Sequence, residues 1–131
     1  MSDENAKVVH EFLAAFAAGD IQTALSCLSE DAVVEEAHGL PFSGDYIGGP
    51  GFLDILNRMS SRLGATLDSI DVYDGGDVVV GRLELTFTSL ATGRSLKTKA
   101  VELYTVADGK ITYADVYYKD PGAVSALATE S

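Results

Sequence analysis

The hydrophobic pattern changes period once, at Gly64, and that change limits the folds open to the chain. Beyond it come four β-favouring runs, Thr66 to Tyr73, Val78 to Ser89, Ser95 to Val106 and Lys110 to Tyr118. They are separated by Asp74-Gly75-Gly76-Asp77, Ala91-Thr92-Gly93 and Asp108-Gly109. Such short glycine-containing turns reverse a chain between successive antiparallel strands. Before Gly64 the period is helical. From Glu4 to Ala18 the residues Val8, Val9, Phe12, Leu13, Phe16 and Ala17 recur at three- and four-residue spacing, one face of an amphipathic helix that Gly19 closes. Asp20 is placed to cap a second helix from Ile21 to Leu28, with Ala24, Leu25 and Leu28 inward. A short strand is expected from Ala32 to Glu36. Gly39, Pro41, Gly44, Gly48, Gly49, Pro50 and Gly51 then predict a long irregular loop. A third helix starts near Pro50, a residue suited to a first turn, and runs to about Leu63 with Phe52, Leu53, Ile55, Leu56 and Met59 facing in. The tail from Pro121 to Ser131 reads as a short frayed helix or coil.

Helices followed by a run of antiparallel strands give an α+β fold with the helices gathered on one face of the sheet. Strands this long curl, and a curled sheet with a helix across its open side is a cone with room for a ligand. A chain of 131 residues supports one core, so a single domain over residues 1–131 is expected. No internal repeat or interdomain linker interrupts it.

Charge and composition exclude several classes of function. A net charge of −11 and a pI near 4.3 repel phosphate backbones and anionic lipid over most of the surface, so neither nucleic acid nor membrane is an expected partner. The segment from Met1 to Ala15 carries Asp3, Glu4 and Glu11 where a signal peptide carries basic residues, which makes the cytoplasm the expected compartment. Cys27 is the single cysteine, and His10 and His38 are the two histidines, so no internal disulfide and no metal-ligand spacing exists. Cys27 reads as a small core residue between Leu25 and Leu28. No cofactor motif is present.

Four stretches together resemble the nuclear-transport-factor-2-like (NTF2-like) superfamily. They are Phe12 to Asp20 (FLAAFAAGD), Ser29 to Glu36 (SEDAVVEE), the Gly44-Asp-Tyr-Ile-Gly48 loop and Asp108-Gly-Lys-Ile111 before a tyrosine-rich last strand. The resemblance spans about Val8 to Asp120 and is strongest to the ketosteroid-isomerase and SnoaL-like polyketide-cyclase branch. It implies a cone-shaped, cystatin-like fold, a soluble homodimer and a pocket for an apolar small molecule. Val101, Leu103 and Tyr117, on the expected outer side of their strands, would form the dimer face. Activity varies widely on this scaffold.

The resemblance also assigns roles. Glu36 matches the aspartate that shuttles a proton between two carbons of the isomerase substrate, which demands an apolar site that raises its pKa; the alternative is a solvated carboxylate beside Glu35. Glu102 matches the protonated aspartate of the oxyanion hole, and alternation places Ala100, Glu102, Tyr104 and Val106 on one face; the alternative is a cross-strand ion pair. Phe12 stands where the isomerases carry a tyrosine donor, which argues against literal ketosteroid isomerisation. Val80-Gly-Arg82-Leu-Glu84 is similar to a segment of limonene-epoxide-hydrolase-like members, in which an arginine bridges two carboxylates. The second of these would sit at Val116, with Asp115 facing the other way. An exposed Arg82–Glu84 ion pair is the other reading. His38 edges the pocket mouth as a proton relay or as a solvated loop residue. Phe12, Phe16, Tyr46, Tyr104, Val116 and Tyr118 are expected to line the pocket. Asp54 and Arg58, four apart, read as a surface ion pair.

The sequence therefore accommodates three functions. The first is cofactor-independent proton transfer, isomerisation or cyclisation, on an apolar carbonyl compound, with Glu36 as base and Glu102, joined by Arg82, stabilising the oxyanion. The second is apolar-ligand binding or dimerisation without chemistry. The third is water addition to an epoxide through Arg82 and Glu84.

Overall fold

In the computed structural model, which describes residues 2–131 with side chains from Asp3 onward, the strands form one sheet in the order β2-β1-β6-β5-β4-β3. The long strands follow the sequence pattern: β3 spans Leu63–Asp74, β4 Val79–Ser89, β5 Ser95–Ala107 and β6 Lys110–Tyr118. Each pairs antiparallel with the next. Asp108 and Gly109 both take positive φ, 52° and 75°, the backbone that a two-residue hairpin needs to match the twist of its strands. Register shifts that skip Asp68 in β3 and Thr112 in β6 bend the strands, and the sheet curves. β1 (Leu28–Glu36) adds to β6 in parallel, which brings the first strand of the chain beside the last.

The helices close the concave side. α1 (Ser2–Ala18) lies across it and packs on β3, β4, β5 and β6, burying Val9, Phe12, Leu13 and Ala15. Gly81 on β4 permits this close approach, because a Cβ there would lie 3.1 Å from both the Leu13 and Tyr104 side chains. α2 (Ile21–Ser26) is capped by Asp20, whose carboxylate accepts the Thr23 N–H at 3.2 Å. α3 (Gly48–Ser60) packs on β1, β2 and β3. Cys27 is buried, as a core residue should be, with its thiol donating to the Thr23 carbonyl at 3.4 Å.

Several expectations are corrected. β1 starts at Leu28, four residues before the predicted strand, because Leu28 pairs with Ile111 of β6 and α2 stops at Ser26. The glycine-rich loop contains a short strand, β2 (Gly44–Ile47), stabilised by antiparallel pairing with Val33 to Glu36 that no local pattern announces. α3 begins two residues before Pro50 and ends at Ser60, and β3 already starts at Leu63. Leu53 and Ala17 face solvent rather than the core. The tail is a docked helix, α4 (Pro121–Ala128), with Val124, Leu127 and Ala128 buried against β4 and β5. Asp120 caps its start, and Glu130 beyond its end accepts from Arg94 and Thr92.

Candidate functional site

Strand alternation decides what faces inward. On β4, Leu83, Leu85 and Phe87 are buried while Arg82 and Glu84 are exposed. On β5, Ala100, Glu102 and Tyr104 share the inner face, on β6 Ala114, Val116 and Tyr118, and on β1 Val34 and Glu36. These strands, α1 and α3 enclose a cavity of about 70 Å³. Phe12 and Phe16 of α1 contribute rings that pack on Phe52 of α3, at centroid distances of 5.3 and 6.2 Å. Of the lining residues, Phe16, Leu56, Met59, Ala65 and Leu67 keep exposure on facing parts of α1, α3 and β3, and they mark the mouth.

Among the described residues, only Glu36, Glu102 and Tyr118 bring polar side chains into this lining. Glu36 is 5% exposed, and its Oε1 accepts the Ala37 N–H at 3.0 Å. Burial pushes its pKa up to about 7; the Ala37 N–H opposes that shift, the nearby Glu102 adds to it, and the Tyr118 hydroxyl opposes it as a donor. Glu102 is half-buried, and its carboxyl lines the cavity. Burial raises its pKa as well, against the hydrogen bond it accepts from the Tyr104 hydroxyl. Tyr104, fully buried, packs edge-on to Phe12 at 6.2 Å and so fixes the Glu102 side chain from behind. Burial holds the Tyr104 and Tyr118 hydroxyls well above the usual phenol range, and they remain donors. Two carboxyl groups thus share one apolar chamber whose lining, among the described residues, holds no lysine or arginine, and burial raises the pKa of both.

The sequence-predicted site residues divide between the two sides of the sheet. Phe12, Phe16, Glu36, Glu102, Val116 and Tyr118 come together around the cavity. Arg82 and Glu84 do not join them. They stand on the outer face, where Glu84 accepts from the Ser69 hydroxyl at 3.0 Å, because the inner places on β4 go to Leu83 and Leu85. Asp115 also faces outward and accepts from Tyr117 at 2.7 Å. Tyr46 is buried elsewhere, donating to the Phe42 carbonyl at 2.9 Å beneath Arg58. The His38 side chain is 87% exposed, 3.7 Å from Glu35, outside the cavity lining. Tyr104 supports the site from the second layer and does not line it. Sequence reasoning did not name Leu83, Leu85 and Phe87 as lining residues, although their alternation on one strand is legible. Asp54 and Arg58 form the expected surface pair at 3.2 Å. Among the described residues no cluster of His, Cys, Asp and Glu is arranged to hold a metal ion, and no helix is long and apolar enough to cross a membrane.

Known structures share this architecture. TerC, co-crystallised with polyporic acid, superposes with a TM-score of 0.87 at 25% identity, over 97% of this chain and 99% of that one. An NTF2-like protein of unknown function from Burkholderia pseudomallei gives 0.87 at 20% identity, over 97% and 98%. A polyketide-cyclase candidate from Xanthomonas campestris gives 0.81 at 23% identity, again over 97% and 98%. No curated protein matches the sequence. The fold is thus the NTF2-like cone, and the SnoaL-like domain profile matches residues 9–114, well over half the chain. The chain belongs to the SnoaL-like domain family.

Proposed function

We propose that the protein catalyses cofactor-independent proton transfer, isomerisation or cyclisation, on a neutral, ring-containing carbonyl compound. The observation that carries this reading is the Glu36–Glu102 pair in an otherwise apolar cavity, with Glu36 raised to about 7. Glu36 keeps two donors that favour its carboxylate, the Ala37 N–H and the Tyr118 hydroxyl, so it is the member of the pair that ionises and acts as base. Glu102 remains protonated. Its carbonyl oxygen accepts from Tyr104, which leaves its own O–H to donate to the enolate oxygen that develops as Glu36 takes the carbon-bound proton. The proton on Glu36 is then returned to a second carbon, and the enolate collapses to the rearranged carbonyl. The apolar walls exclude water, which strengthens the hydrogen bond to the developing charge.

A pH–rate profile tests the assignment. Turnover of a cyclic β,γ-unsaturated ketone or a comparable carbon acid should rise in kcat/KM as pH passes through about 7, with the ionisation of Glu36 in the free protein. A flat profile would remove Glu36 from the mechanism.

Ligand binding without chemistry is the second reading, and Phe12 favours it, since this aromatic lines the cavity without a hydroxyl where a second oxyanion donor would stand. Water addition to an epoxide loses its support with Arg82 and Glu84 on the outer face. Both remaining readings require a neutral ligand, because an anion would face two carboxyl groups in a poorly solvated space. Thermal-shift screening distinguishes the classes, since a ligand that binds only the folded chain raises its melting temperature. Stabilisation by carboxylated or phosphorylated compounds alone would contradict the assignment. A homodimer through the outer face completes the proposal: Tyr117 is 53% exposed there, beside half-buried Val101 and Leu103.

A further inference from the structure

The ladder between β1 and β6 ends at the Glu35–Asp115 pair. Past that point β1 has one more residue, Glu36, paired only with Gly44 of β2. β6 runs on through Val116, Tyr117 and Tyr118 with β5 as its partner. The sheet is therefore split at the level of Glu36, where Ala37 and His38 carry the chain away toward β2. A crevice of about 260 Å³ occupies the split, lined by Glu35, Glu36, His38, Asp115, Tyr117 and Pro121, among others. Glu35, Asp115 and Tyr117 belong to the outer face, so the crevice opens on the side of the sheet away from α1 and α3, with Pro121 at the start of α4 on its rim. Glu36, Val116 and Tyr118 line both this crevice and the inner cavity, and they form the partition between the two.

We propose that the split is a second opening to Glu36, through which its carboxyl group exchanges a proton with solvent on the outer side of the sheet, with Glu35 and His38 as carriers at the outer end. The need for it follows from the cavity. An apolar ligand seated between α1, α3 and the sheet covers Glu36 from inside and excludes water there, so a proton taken by Glu36 has no inner path to bulk solvent. Through the crevice the O–H bond of protonated Glu36 breaks and the proton passes to a water oxygen. From that water it moves to the Glu35 carboxylate or the His38 imidazole, which leaves Glu36 as carboxylate; the reverse sequence restores it. Glu35 is held toward this path by Tyr113, whose hydroxyl donates to Oε1 at 2.5 Å, while His38 lies 3.7 Å from Oε2. Among the described residues the titratable groups facing the path are Glu35, His38, Asp115, Tyr117 and Tyr118, and no lysine or arginine lines it. The opening therefore favours protons and small cations over anions. Its use in turnover rests on the reading of Glu36 as the base; the opening itself does not.

Thiol labelling tests the route without requiring turnover. In a Cys27→Ser background, Glu36→Cys places a reporter in the partition, and the probe is 2-aminoethyl methanethiosulfonate. Adding His38→Trp, which lays bulk over the outer end, should slow labelling at least tenfold. Adding Ala65→Trp, which obstructs the inner mouth, should change it less than twofold. The opposite pattern, or a folded Glu36→Cys chain that does not label, overturns the proposal. Val116→Cys, also in the partition, is the second reporter should Glu36→Cys fail to fold, and the same pattern is required of it. The proton role has its own readout. For a carbon acid turned over in D2O, the ratio of solvent deuterium to retained proton in the product should fall at least threefold in His38→Trp, and an unchanged ratio refutes the exchange path. A chain that labels through the crevice yet turns nothing over keeps the opening and loses the reading of Glu36 as base.

Discussion

Glu35 and Glu36 are neighbours in the chain with the same side chain, and the sheet puts them in different solvents. Glu35 points outward, accepts from Tyr113 and lies beside exposed His38. Glu36 points inward and is 5% exposed, and burial pushes its pKa up to about 7. Glu84 and Glu102, on adjacent strands, repeat the contrast: the first meets Ser69 on the outer surface, the second meets Tyr104 at the cavity wall. The environment of a carboxyl group here is therefore a property of the face and not of the residue. A carboxyl group in water is a weak base and a poor hydrogen-bond donor at neutral pH. Desolvation supplies both roles.

The sharpest way to break this comparison is to remove one carboxylate from each face. Glu36→Gln should lower turnover of a carbon acid by about a hundredfold to ten-thousandfold, the usual contribution of a positioned base. Glu84→Gln should leave turnover within about twofold. Equal losses in steady-state assays would mean that the inner face has no special chemistry.

Packing should show the same asymmetry. Phe87 is fully buried, with its ring 6.0 Å from that of Tyr118, and Phe87→Ala should cost roughly 3–5 kcal/mol in urea unfolding. Arg82, five residues earlier on the same strand, is exposed, and Arg82→Ala should stay within about 0.5 kcal/mol.

The pH dependence of stability follows from the direction of the Glu36 shift. Its folded pKa, about 7, lies above the ordinary value of 4.5, so between those values the folded chain binds more protons than the unfolded one. Stability from this group is fully present below about 4.5 and is lost as pH rises through 7. The loss amounts to roughly 3 kcal/mol at the most, by the free energy of one pKa unit. Glu36→Gln, which cannot ionise, should match wild type near pH 5 and exceed it near pH 8. Urea midpoints measured across that range check the sign, and a mutant that parallels wild type throughout would place Glu36 in solvent. The smallest effect is expected at the outer face, where Tyr117→Ala should weaken self-association by about tenfold in sedimentation at micromolar concentration, the loss of one aromatic contact.

Local pattern was enough for the long elements. The helical spacing of Val9, Phe12, Leu13 and Phe16 gave α1, and the turn sequences around Asp74, Thr92 and Asp108 placed the hairpins, because amphipathic periodicity and turn chemistry are encoded within a few residues. Strand alternation alone also groups Glu102 with Ala100 and Tyr104. What local pattern could not carry was β2 among the glycines and the docking of α4, since β2 is held by pairing with β1 across the intervening loop and α4 by packing on the more distant β4 and β5.

The sequence by itself determined the α+β class, the strand periods and which residues share a face, all of which follow from backbone geometry and neighbours in the chain. Only the tertiary structure decided which face is the inside. That choice sent Glu36 and Glu102 into the cavity, left Arg82, Glu84 and His38 in water, and ended the β1–β6 ladder at Glu35, one residue before the buried Glu36. The physical reason is that inside and outside are set by which surface α1 and α3 cover, through long-range contacts that no window of the sequence contains.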